Sequence, residues 1–220
     1  MAKHKFALIG DSHAGTIGRA ARERGIEFGG GPIASGKEFY SDFFEVEQGR
    51  LSFVVEDTIR VYGELCELWD VSNIEELDIP IISTIGSGFH FPAARAVWAN
   101  FRDENLGFTQ DFIAGPMCQS IFQRMQAPML AFHQHLVEQG KTVFFALPPQ
   151  RVPDSAWAEL FRALQNRAFS ELTKIGCSVI DVRNDTSDRE ANLLAEYCQD
   201  NDPIHGNIAL GKKMLDAAGL

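Results

Sequence analysis

Four apolar runs, each ended by a glycine, proline or polar break, recur along this chain and limit its fold more than any other feature. They are Phe6 to Ile9, Pro80 to Ile85, Thr142 to Leu147 and Cys177 to Val182. Runs of this length without polar alternation suit strands buried on both faces, as in a parallel sheet. Helical patterns fill the gaps. Residues 14 to 24 put Ile17, Ala20 and Ala21 on one side and arginines on the other before stopping at Gly25. Gln119 to Gln139 spaces Ile121, Phe122, Met125, Met129, Phe132 and Leu136 at helical intervals, with Pro128 expected to kink it. Asp154 to Ile175, capped by Asp154 and stopped by Gly176, is the clearest helix. Strands alternating with helices predict an α/β fold, a central parallel sheet with helices on both faces.

Phe43 to Glu56 breaks the rhythm. Two short apolar segments flank Gln48-Gly49-Arg50 in the manner of a β-hairpin, read as part of an insertion over roughly residues 38–79. The apolar positions of Asp57 to Trp69 match neither period, so helix and extended arm both stay open. The 220 residues, 45% hydrophobic and 23% charged, fit one globular domain without a linker or repeat.

Charge narrows the partners. A formal net charge of −10 argues against nucleic acid or an anionic membrane, since either needs a basic patch. The apolar stretch near the start is too short for a signal sequence, and no run reaches the about 20 residues of a membrane span. A cytoplasmic location is the expectation. Cys66, Cys118, Cys177 and Cys198 are widely spaced and predict free thiols. The oligomeric state is not legible.

Ligands of open parallel sheets sit at the carboxyl ends of the strands, so the residues after each run are where chemistry is expected. The first run delivers Gly10-Asp11-Ser12-His13, and the second Gly86-Ser87-Gly88-Phe89-His90. The third ends in Pro148-Pro149-Gln150-Arg151. Near the other terminus, Asp202-Pro203-Ile204-His205 sets a carboxylate three residues before an imidazole. A serine hydroxyl needs such a pair to become nucleophilic. The competing readings are structural: Ser12 or Asp11 as a helix cap, Asp202 and His205 as a turn before a last helix over Asn207 to Ala218. His13 and His90 are candidates to line the pocket or ordinary polar residues. His133 and His135, two apart on a helix, point to different faces and predict no metal site. Gly29 to Gly36 lacks the Gly-Lys-Ser/Thr ending of a phosphate loop, and the dinucleotide glycine spacing is absent.

These blocks resemble the SGNH (GDSL-type) hydrolases, whose pattern is Gly-Asp-Ser, a downstream glycine, Gly-x-Asn and a C-terminal Asp-x-x-His. The resemblance implies a flavodoxin-like three-layer α/β/α sandwich in which Ser12 attacks, His205 is general base then acid, and Asp202 orients the imidazole. It also implies oxyanion donors from the backbone of Ser12 and of a second glycine, Gly36, with Gly31 as the competing choice. No cofactor or metal is implied. The chain departs from the pattern at Gly86-Ser87-Gly88, where the asparagine is absent. Losing one such donor costs about 10²–10³ in turnover, so His90 or Ser87 substitutes, or the enzyme is slow, or catalysis is lost. The expectation is an esterase acting on a small acyl ester such as an O-acetylated sugar. The alternatives are an acyltransferase using the same triad and a silent carbohydrate- or acyl-binding protein.

Overall fold

The computed structural model describes residues 4–101 and 108–220. Met1 to Lys3 and residues 102–107 lie outside them. The elements follow in chain order: β1 (Phe6–Gly10), α1 (Ala14–Glu23), β2 (Phe28–Pro32), β3 (Phe44–Glu47), β4 (Arg50–Phe53), α2 (Glu56–Trp69) and β5 (Ile81–Ser83). Then come α3 (Arg95–Trp98), α4 (Gln110–Ala114), α5 (Pro116–Glu138), β6 (Val143–Ala146), α6 (Ala158–Ile175), β7 (Ser178–Ile180), α7 (Arg183–Thr186) and α8 (Ile208–Ala217). Five strands form one parallel sheet in the order β2-β1-β5-β6-β7. Counting only these strands, that is the flavodoxin-like order 2-1-3-4-5, which reverses direction between β1 and β5.

Alternation along the strands builds the three layers. Phe6 and Leu8 of β1, Ile82 of β5 and Ile180 of β7 pack with α1 and α8 through Ile17, Ala20, Leu210 and Leu215. Ala7, Ile9, Ile81, Val143 and Phe145 face the opposite core, built with α2, α5 and α6. β1 is buried at every residue, which explains why it reads as an unbroken apolar run.

The edge strand β2 has no counterpart among the four runs. Its sequence Phe28-Gly29-Gly30-Gly31-Pro32 carries almost no side chains to show a period. The glycines have steric work to do: a Cβ on Gly30 would collide with the Leu8 carbonyl, and one on Gly29 would come 2.6 Å from the Trp69 indole. α2 therefore lies against this edge. Its buried positions Thr58, Tyr62, Cys66 and Trp69 have helical spacing, while Ile59 and Leu68, about half exposed, blur it in the sequence.

The hairpin forms as β3 and β4, antiparallel in register Phe44↔Phe53. Gln48 (φ 53°) and Gly49 (φ 79°) make its two-residue turn, the positive φ pair that matches strand twist. α6 starts later than expected, and Asp154 is not its cap. Residues 155–157 are drawn into an antiparallel bridge with 93–95, where Arg95 N–H donates to Ser155 O (2.7 Å) and Trp157 N–H to Ala93 O (2.9 Å). α8 is capped by Asn207, whose Oδ1 accepts from the N–H groups of Ala209 and Leu210. All four cysteines are free. Among the described residues, no helix is long and apolar enough to cross a membrane.

Phe132 of α5 joins the hairpin to the sheet. It is fully buried, with ring centroids 5.7 Å from Phe43, 5.5 Å from Phe44 and 6.2 Å from Phe53. Phe132→Ala is expected to cost about 3–5 kcal/mol. Urea denaturation checks this; a loss below about 1 kcal/mol would mean the hairpin does not dock as described.

Candidate active site

The strand order reverses between β1 and β5, the point where open α/β sheets place a ligand crevice at the carboxyl ends of the strands, and both following loops meet there. Gly10 is forced there, because a Cβ would run into the Thr84 hydroxyl. The Asp11 N–H donates to that hydroxyl (3.1 Å), tying the two loops together. The chain then turns outward so that Ser12 is exposed while Asp11 and His13 are buried.

Ser12 is not a helix cap. α1 has no side-chain cap, and the Ser12 hydroxyl instead lies 2.6 Å from His205 Nε2. His205 Nδ1 lies 2.8 Å from Asp202 Oδ2. A carboxylate can only accept here, so Nδ1 carries the proton and Nε2 is left to accept from the Ser12 hydroxyl. Asp202 serves both of its candidate roles, since Oδ1 also accepts the N–H groups of Ile204 and His205 at 2.8 Å each. Partial burial opposes ionisation of Asp202, but those N–H groups and the His205 ring outweigh it and hold the carboxyl down at about 2.

Two side chains fix the His205 loop. The Arg151 guanidinium donates to His205 O (3.0 Å) and Gln199 O (2.8 Å), and the Thr16 hydroxyl donates to Gly206 O (2.9 Å). Arg151 lies in the turn after β6, where strand ends predicted function. Thr16 had no sequence signal, because its partner lies 190 residues away.

The remaining candidates gather around Asp11. Ser87 is buried and donates its hydroxyl to the Asp11 carboxylate, 3.1 Å from Oδ2 and 3.3 Å from Oδ1. That hydroxyl is already committed, which corrects the expectation that Ser87 could replace the missing asparagine as a side-chain donor. Gly36 reaches the site: a Cβ there would lie 2.9 Å from Asp11 Oδ2. Gly31, the competing glycine, lies within β2. Gly86 turns at φ 77°, its carbonyl accepting from the Tyr40 hydroxyl at 2.8 Å.

Gly88 stands at the asparagine position, and the space is closed. A Cβ there would meet the Phe91 ring at 3.0 Å and Gly36 Cα at 3.5 Å. His90 packs beside Phe91, its ring tilted by 38° with centroids 4.1 Å apart, and is half-buried. Burial, then the neighbouring His13, pushes its pKa down to about 4. Burial and then His205 push His13 down to about 3; the His13 ring sits 5.1 Å from that of His205. Both are neutral at pH 7. Burial raises Asp11 to about 6, with the His13 N–H and the Thr84 and Ser87 hydroxyls pulling the other way.

Among the described residues, no group of three His, Cys, Asp or Glu side chains could hold a metal ion. His133 is satisfied internally by Met129 O (2.7 Å) and Ser83 Oγ (2.9 Å), and His135 pairs with Glu75 (2.7 Å).

No protein-family model matches the sequence, and no curated protein is significantly similar to it. Solved structures are similar in fold. A GDSL-like lipase from Bacteroides thetaiotaomicron VPI-5482 superposes with a TM-score of 0.52 at 11% identity, covering 98% of this chain and 84% of that one. The GDSL-like lipase structure from Parabacteroides merdae ATCC 43184 does so at 0.52 and 12%, covering 100% of this chain and 98% of that one. The chain has the SGNH (GDSL-type) hydrolase fold. In that SGNH fold, the five-stranded sheet and its reversal point account for where the loops of this site meet.

The Asp202 environment makes a direct prediction. Its carboxyl ¹³C resonance is expected to titrate near 2, and His205→Ala is expected to move it upward by removing a partner of the charged form. A midpoint at the ordinary aspartate value in the native protein would contradict the contacts described.

Proposed function

We propose that this chain is a serine ester hydrolase of the SGNH type acting on a small acyl ester, such as an O-acetylated sugar or a short-chain ester. The observation that carries the reading is the continuous line from Asp202 Oδ2 through His205 to Ser12 Oγ, with contacts of 2.8 Å and 2.6 Å. An exposed hydroxyl spent on an imidazole, while the first N–H groups of α1 are met by Asp11 Oδ1 and by the carbonyls of residues 11–13, supports nucleophilic use over capping.

Ser12 Oγ attacks the acyl carbonyl carbon while His205 Nε2 takes its proton. The tetrahedral oxyanion accepts hydrogen bonds from the backbone N–H groups of Ser12 and Gly36. His90, neutral at pH 7, supplies the third donor in place of the family's asparagine. His205 then returns the proton to the departing alkoxide, leaving the acyl group on Ser12. Water, deprotonated by the same nitrogen, attacks the ester, and the carboxylic acid leaves as the proton passes back to Ser12. Asp202 keeps the proton on Nδ1 and offsets the charge of the imidazolium. An alcohol taking the place of water would make the same acyl-enzyme a transferase.

A second reading, a silent carbohydrate- or acyl-binding protein, draws on Gly88 and the Phe91 ring that closes the asparagine's space. A panel of p-nitrophenyl esters of increasing acyl length, with an acetylated sugar, separates the two. Hydrolysis by the wild type, reduced about 10³-fold or more in Ser12→Ala, is expected, with His90→Ala lowering kcat about 10–100-fold. Wild-type hydrolysis that Ser12→Ala leaves unchanged would remove the nucleophile assignment, and no hydrolysis of any ester would favour the silent protein.

A further inference from the structure

Asp11 and Ser87 make a buried contact that the proposed mechanism does not use. Asp11 is 1% exposed and Ser87 fully buried, and a carboxylate is costly to bury unless several donors meet it. Its donors come from separate loops. The His13 N–H reaches Oδ1 at 3.0 Å from the nucleophile turn, and the Ser87 hydroxyl reaches both oxygens from the turn after β5. Gly36 brings the loop after β2 against the same carboxylate, at a distance no side chain would allow. The Gly86–Gly88 turn is also held from its other side, where Tyr40 donates to Gly86 O. A residue needed only to close the first turn of α1 would require the His13 contact alone.

We propose that the Asp11–Ser87 hydrogen bond is a clamp that sets the Gly86–Gly88 turn, and with it His90 two residues on, against the Ser12 turn, so that the donor replacing the absent asparagine is held in place. Asp11 and Ser87 are positioning residues, because neither reaches the reacting atoms. The closed space at Gly88 fits this arrangement: a Cβ there would meet the Phe91 ring, so the turn is packed as well as hydrogen-bonded. Displacing donors around an oxyanion by about 1 Å slows the chemical step by up to 10²-fold and leaves substrate binding largely alone. The inference rests on Ser12 being the nucleophile.

The test measures kcat and KM on an ester that the wild type hydrolyses, for Ser87→Ala, Asp11→Asn and the pair combined. Ser87→Ala breaks the clamp and is expected to lower kcat about 10–100-fold with KM within about twofold. Asp11→Asn retains the shape, its Oδ1 accepting the His13 N–H and its Nδ2 donating to the Ser87 oxygen. It is expected to keep kcat within about fivefold, and the double variant to match Ser87→Ala. Matching circular dichroism and melting transitions exclude misfolding, and Asp11→Asn, the near-isosteric change, gives a second reading if Ser87→Ala folds poorly. A Ser87→Ala kcat within twofold of wild type, or a loss confined to KM, would overturn the clamp alone. Undiminished hydrolysis by Ser12→Ala would instead overturn the reading beneath it.

Discussion

Pairing of β1 on both sides is the constraint from which the rest of the molecule follows. With β2 on one edge and β5 on the other, and every residue buried, β1 leaves the chain no path after Gly10 except out through the crevice where the strand order reverses. The Thr84 hydroxyl fills the place a Gly10 side chain would take and accepts the Asp11 N–H. One steric requirement thus turns Ser12 to the surface, buries Asp11 and brings the Thr84–Gly88 loop against the Ser12 turn. His205 arrives from the far end of the chain, held by Thr16 and Arg151 through backbone carbonyls.

The proposed mechanism turns on one proton transfer. His205 must become a cation when it takes the Ser12 proton, and a second cation nearby would oppose that. Burial keeps His13 and His90 neutral, with pKa values pushed down to about 3 and about 4. Asp202 stays charged to about 2 and sits 2.8 Å from the ring nitrogen that keeps its proton. His13 and His90 therefore add no positive charge beside His205 at pH 7.

The sheet was legible where side chains carry the pattern. β5, β6 and β7 each fall inside an apolar run and β1 passes its run by Gly10 alone, because strands covered by helices are built mostly from apolar residues. β2 was hidden for the opposite reason: its fit against Leu8 and Trp69 requires glycines, which show no period. The start of α6 was misread because Asp154 is a good cap locally, while a bridge to residues 93–95 takes the backbone that a first turn would use. At the site, Ser12, Asp202 and His205 could be singled out since each lies in a short motif at a strand or helix end. Tyr40, Thr16 and the Ser87–Asp11 contact could not, because they are contacts between distant segments with no local spacing. Such residues become readable only when the topology says which loops share an edge.

The central claim is that Ser12 is activated by His205 and Asp202, and intact-mass analysis after treatment with a fluorophosphonate tests it without knowledge of the substrate. The account predicts one adduct on the wild type, mapped by peptide analysis to Ser12 and absent from both Ser12→Ala and folded His205→Ala. An unmodified wild type, or an adduct that persists in Ser12→Ala, would contradict it.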